Sequence, residues 1–138
     1  QIFSALAARG IKEKDAKAIL GALILPSYEL KDAQGVHRYS AFFRHALRWR
    51  QGAAIRNAQL VETPASRDAL EYYFALAPAL SQEVMNYRLR HASCTFFDMV
   101  TERDADIAEG RSVPSEQAFL DDGIEMVRAV CLRSHLSG

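Results

Sequence analysis

Between Gln82 and Glu109 the chain repeats apolar residues at helical spacing over an unusually long stretch. Met85, Leu89, Ala92, Phe96, Met99, Val100 and Ile107 fall on one stripe at about 100° per residue. Tyr87, Cys94 and Phe97 add a second, weaker apolar side. A helix that is apolar on more than one side needs cover on each of them. This segment is therefore expected to be the central helix of an all-α domain. Ser81-Gln82-Glu83 offers a capping start, and Gly110 is placed to end the helix as a C-cap.

The remaining segments carry the same period. A first helix is expected from Ser4 to Leu25, interrupted near Gly10 and ended by Pro26, with a loop from Pro26 to Gly35. Its apolar surface comes from Ala5, Leu6, Ile11, Ile19, Leu20, Leu23 and Ile24. Val36 to Gln51 reads as an amphipathic helix. Val36, Tyr39, Phe42, Phe43, Ala46, Leu47 and Trp49 share one arc, and His37, Arg38, Ser40, Arg44, His45, Arg48 and Gln51 share the other. Arg50 breaks the pattern, because it falls on the apolar arc between Tyr39 and Phe43.

Thr63-Pro64 is a helix start, with a run to about Ala77 that turns Leu70, Tyr73, Phe74 and Ala77 inward. Ser115 caps a last helix reaching about Leu136, lined by Phe119, Leu120, Gly123, Ile124, Val127, Val130 and Cys131. Gly123 on that face lets another helix approach closely. No alternating strand pattern or internal repeat recurs. The reading is a single domain over residues 1–138, compact and orthogonal or bundle-like, with about five to seven helices. Because the chain begins at Gln1, it is taken as a domain that can sit within a longer protein.

Composition closes off several classes. A hydrophobic fraction of 49% supports one core, and 25% charged residues is ordinary for a globular surface. No run of about 18 residues lacks charge, so no membrane span is expected. Two isolated cysteines, Cys94 and Cys131, do not make a disulfide scaffold and read as small buried hydrophobes. A reducing, cytoplasmic setting is the expectation. The net charge of zero conceals an asymmetry: residues 1–67 hold 11 Lys/Arg against five Asp/Glu, and residues 68–138 hold six against 12. Such a division can steer a partner or align two copies, and it can also vanish when the halves interleave.

Chemistry-bearing motifs are sparse. His91, Thr95, Asp98 and Glu102 line up on the central helix, but the paired Glu-x-x-His of a di-metal bundle is absent, as are zinc spacings. Neither a metal nor a cofactor is expected. Cys94 lies three residues from His91 and four from Asp98, a spacing that lets the three cluster without making the thiol reactive. His135 suits the C-terminal end of the last helix. The carboxylates Asp98, Glu102, Asp104, Asp106, Glu109, Asp121, Asp122 and Glu125 read as an acidic surface, not a calcium loop. Gly10, Gly21, Gly35 and Gly52 form no phosphate-binding loop.

The leading expectation is a regulatory or adaptor domain that binds a protein partner through Arg38, Arg44 and Arg48. From His37 to Arg56 there are five arginines and no carboxylate, so a nucleic-acid-binding regulator using the same arginines is the first alternative. A ligand-binding or enzymatic domain is the second, with an interhelical pocket drawn from Arg50, His91, Cys94 and Asp98. Enzymatic activity is left open, and a homo-oligomer is compatible with the two-sided central helix.

Overall fold

The computed structural model describes residues 15–48 and 64–133. These residues form five α-helices and, among the described residues, no strand, so the domain is all-α as expected. The helices are α1 (Ala16–Tyr28), α2 (Arg38–Arg48), α3 (Pro64–Ala75), α4 (Gln82–Ala108) and α5 (Glu116–Cys131). None of them is long and apolar enough to cross a membrane. Ser4 to Gly10, Trp49, Arg50, Arg56, Thr63, His135 and Leu136 lie outside the described residues.

Helix boundaries follow local chemistry. The Ser81 hydroxyl accepts from the Val84 amide at 3.2 Å and starts α4; Ser115 accepts from the Ala118 amide at 3.2 Å and starts α5. At the far end of α4, Gly110 takes φ +74°. Its amide donates to the Ile107 carbonyl at 3.0 Å, and the Arg111 amide donates to the Asp106 carbonyl at 2.8 Å. This paired 5→2 and 6→1 arrangement is a Schellman cap, and only glycine adopts that backbone without strain.

α4 and α5 form an antiparallel hairpin. The Arg103 side chain reaches the Pro114 carbonyl at one end, and the Arg88 side chain reaches the Cys131 carbonyl at the other. Gly123 sits where they come closest: a Cβ there would lie 2.7 Å from the Phe96 ring. Phe96 is fully buried and meets the rings of Tyr28, Phe97 and Phe119 at centroid distances of 6.1, 5.7 and 6.1 Å. Ile19, Leu20 and Ile24 of α1, Tyr73 of α3, and Val127 and Cys131 of α5 complete the core around it. α1 touches all four other helices, so the short α1 shares the central position assigned to α4.

Three expectations are corrected. Pro26 does not end α1; the helix runs one residue pair further, to Tyr28. Proline removes one amide donor, to the Ala22 carbonyl, a loss of about 3 kcal/mol in a helix interior and less near an end. Pro26 itself is exposed, whereas Tyr28 is buried beneath α2 and α5, and that burial holds the last turn together.

The arcs of α2 are also shifted. His37 and Ser40, expected on the solvent side, are buried, while Val36 and Phe42, expected inside, are exposed. The cause is long-range. The His37 backbone amide and its Nδ1 both donate to the Asp104 carboxylate of α4, at 2.8 and 2.9 Å, and its ring stacks on Tyr28 at 4.4 Å. These contacts decide which side of the α2 entry faces inward. Asp104 is correspondingly not part of an acidic surface, because only 14% of its side chain is accessible. Finally, Ile107 and Val130, expected in the core, are exposed.

Candidate functional site

The hairpin is electrically divided. From Val84 to Phe97 on α4 and from Met126 to Arg133 at the end of α5 there is no carboxylate, while Arg88, Arg90, His91, Arg128 and Arg133 are present. Arg128 is paired with Glu125. At the other end Glu102, Asp104, Asp106, Glu109 and Glu116 outnumber Arg103 and Arg111.

An open cleft of about 460 Å³ lies between the two helices at the basic end. It is lined by Glu83, Val84, Tyr87, Arg88 and His91 from α4 and by Val130 and Arg133 from α5 and its exit. Three of these side chains are apolar and exposed: Val84 at 39%, Tyr87 at 58% and Val130 at 36%. Tyr87 is held upright by its neighbours. The Arg90 guanidinium lies 5.5 Å from its ring centre, and the His91 ring lies 4.4 Å away.

Arg88 forms the deep part of the cleft, with 7% of its surface accessible. Its Nη1 donates to the carbonyls of Cys131 at 3.2 Å and Arg133 at 3.1 Å. These are carbonyls that the end of α5 leaves without helical partners, and a cation there also meets the negative end of the helix dipole. No carboxylate among the described residues bonds to Arg88. The neutral neighbours respond to burial: Tyr73, whose hydroxyl donates to the Met85 carbonyl at 2.6 Å, is pushed well above the ordinary phenol range. Burial also pushes the Cys131 thiol up to about 11, against smaller lowering effects from Tyr73 and Arg88.

A second polar cluster, at the acidic end, is closed. His37 is 4% exposed, and its carboxylate partner fixes the proton on Nδ1. Its Nε2 has no partner, nor has the buried Ser40 hydroxyl, and the two do not bond each other. The Tyr28 hydroxyl donates to Glu116 at 2.8 Å. Burial, then this bond to an anion, pushes the Tyr28 phenol up, and the same bond holds Glu116 below the usual carboxylate range. The arrangement has the atoms of an acid–base dyad, but it holds helices together and no cleft-lining residue belongs to it.

The residues singled out from sequence are distributed as follows. Arg38 is exposed and its Nε donates to Asp32, whose carboxylate also accepts from the Gln34 and Val36 amides. Arg44 and Arg48 lie within α2, but their side chains, like all of Arg50, are outside the described residues. His91 lines the cleft. Cys94 is buried in the core, and Asp98 is half-buried; neither lines the cleft. Among the described residues no group of three His, Cys, Asp or Glu side chains is arranged to hold a metal ion.

Sequence reasoning does not single out Arg88, although its signal is present. It sits at the edge of the stripe made by Met85, Leu89 and Ala92, a cation on an apolar face, as Arg50 is on its own helix. Comparison with protein-family models, curated proteins and solved structures gave no match for the chain.

Proposed function

We propose that the domain is a regulatory or adaptor module that binds a protein partner, and that it docks an acidic segment of that partner in the α4–α5 cleft. One observation carries this reading: Val84, Tyr87 and Val130 stand exposed on adjacent helices in a cleft that Arg88 and Arg133 also line, with Arg90 against the Tyr87 ring. Apolar side chains supply affinity when a partner covers them, and the surrounding cations select partners of opposite charge. An aromatic already held by two neighbours loses little freedom on binding, which favours it as an anchor.

The cleft is preferred to the α2 arginines because Arg38 already has Asp32 as its partner. The division of charge along the hairpin supports the same choice, since Glu83 is the single carboxylate lining the cleft.

Amide chemical shifts followed during titration with blocked acidic peptides, and separately with a duplex oligonucleotide, test the reading. Peptides are expected to perturb Val84–His91 and Val130–Arg133, and Tyr87→Ala should weaken them about tenfold, as for a central aromatic anchor. Unchanged affinity in Tyr87→Ala overturns the cleft assignment. So does loss of binding on reversing the charges of Arg38, Arg44 and Arg48 while Tyr87→Ala is silent. Binding of the oligonucleotide with no response to peptide would make the domain a nucleic-acid binder.

A further inference from the structure

Resting on the cleft as a docking site, we propose that Arg88 is its carboxylate-reading residue, taking an internal Asp or Glu side chain of the docked segment. Guanidinium groups offer two edges that match a carboxylate. Here Nη1 is taken by the Cys131 and Arg133 carbonyls, which leaves the Nε–Nη2 edge without a bond among the described residues. That edge presents two parallel N–H groups, the pattern that binds both oxygens of one carboxylate.

Burial makes the remaining edge consequential. Arg88 is 93% buried as a residue, and among the described residues its guanidinium bonds to neutral carbonyls alone. Tyr73 and Cys131, the ionisable groups beside it, are kept neutral by the same burial. A carboxylate entering the cleft thus meets a guanidinium to which no carboxylate of the described residues is bonded, the cleft-lining Glu83 included, and which two hydrogen bonds already orient. Orientation lowers the entropy lost on binding, and Lys in place of Arg cannot reproduce the two-pronged edge.

An internal acidic segment is favoured over a chain terminus by the rim. Arg133 lines the cleft beside Arg88, and Arg90 lies against the Tyr87 ring, so more than one negative group in a segment finds a cation, Glu83 being the one opposing charge in the lining, whereas a terminus brings one. The apolar lining asks for a bulky apolar residue beside the acid. The ligand class is therefore a peptide stretch in which Asp or Glu alternates with Leu, Phe or similar residues.

The test uses the full chain and a pair of blocked hexapeptides, one alternating glutamate with leucine and phenylalanine, the other carrying glutamine at each glutamate. The glutamate peptide should bind at least about thirtyfold more tightly than its glutamine counterpart, the low end of the loss typical when one partner of a buried charge pair is removed. Arg88→Lys should cut that preference to under about threefold, and folding of the variant is checked by its thermal midpoint. Should Arg88→Lys not fold, the amides of Arg88 and Arg133 in the unaltered protein decide, since they must shift with the glutamate peptide and not with the other. Equal binding of the two peptides overturns the carboxylate reading while the docking cleft stands. A preference that survives in folded Arg88→Lys does the same. Tight binding of the glutamine peptide alone, once its C-terminus is left unblocked as a third arm, reassigns the cleft to chain ends, and no binding by any of the three peptides removes the cleft itself.

Discussion

The two ends of the α4–α5 hairpin each bury a polar anchor, and they resolve its electrostatics in opposite ways. At one end, His37 and Asp104 answer each other through a backbone and a side-chain hydrogen bond, and the Tyr28 ring closes over them. At the other, Arg88 is answered among the described residues by the carbonyls of Cys131 and Arg133 alone and lines an open cleft. A buried group whose charge is met within the chain and sealed from any cleft is fixed as structure, as His37 is although its Nε2 lacks a partner. One that is only half met is structurally useful and still available to a ligand.

The strongest challenge to this contrast is Asp104→Ala. It strands the buried His37 amide and Nδ1–H, and we expect a loss of about 2–4 kcal/mol in unfolding free energy from denaturant titration. A change below about 0.5 kcal/mol would mean that the closed cluster is not a structural anchor, since that is the ordinary scale of surface substitutions. Arg88→Met is expected to lose less, about 1 kcal/mol. The two carbonyl bonds are lost, but an uncompensated buried charge is removed with little change of volume. A larger loss for Arg88→Met than for Asp104→Ala would reverse the assignment of the two anchors.

Tyr28→Phe sharpens the comparison with the smallest effect, about 0.5–1 kcal/mol, because Glu116 is half accessible to solvent. The pH dependence has a definite sign. Glu116 is held below its ordinary value of 4.5, chiefly by the Tyr28 hydroxyl, so its contribution is present above that value and fades as pH falls through the lowered folded-state value. Unfolding followed from pH 6 downward should therefore show a shallower acid loss in Tyr28→Phe than in the unaltered protein. Identical slopes would remove this bond from the stability of the acidic end.

Most of the framework is legible in the sequence, for local reasons. Ser81, Ser115 and Gly110 act within a few residues of themselves, so their capping roles follow from position alone. Gly123 is likewise legible because a missing side chain on an apolar face implies a close neighbour, here Phe96. The failures share a different cause. The inward turn of His37 depends on Asp104, 67 residues away, and the survival of α1 past Pro26 depends on where Tyr28 is buried. Periodicity cannot report such pairings.

The candidate site was less accessible still. Its rim residue His91 stands out by its residue type, but Val130 belongs by period to the core stripe of α5 and is exposed only because α4 leaves a gap there. Arg88 requires both facts at once: a cation at the margin of a stripe, and a helix end close enough to supply carbonyls.

Cys131 lends the basic end a chemical clock. Burial pushes its thiol up to about 11, so the group stands overwhelmingly as the unreactive thiol at neutral pH. Its sulfur is also sealed in the core, while its own carbonyl is one of the two that Arg88 holds. Alkylating reagents and mild oxidants thus reach it only when the last turn of α5 lifts away from α4. The pace of that modification measures how often the hairpin comes open, and anything lodged against Arg88 slows it.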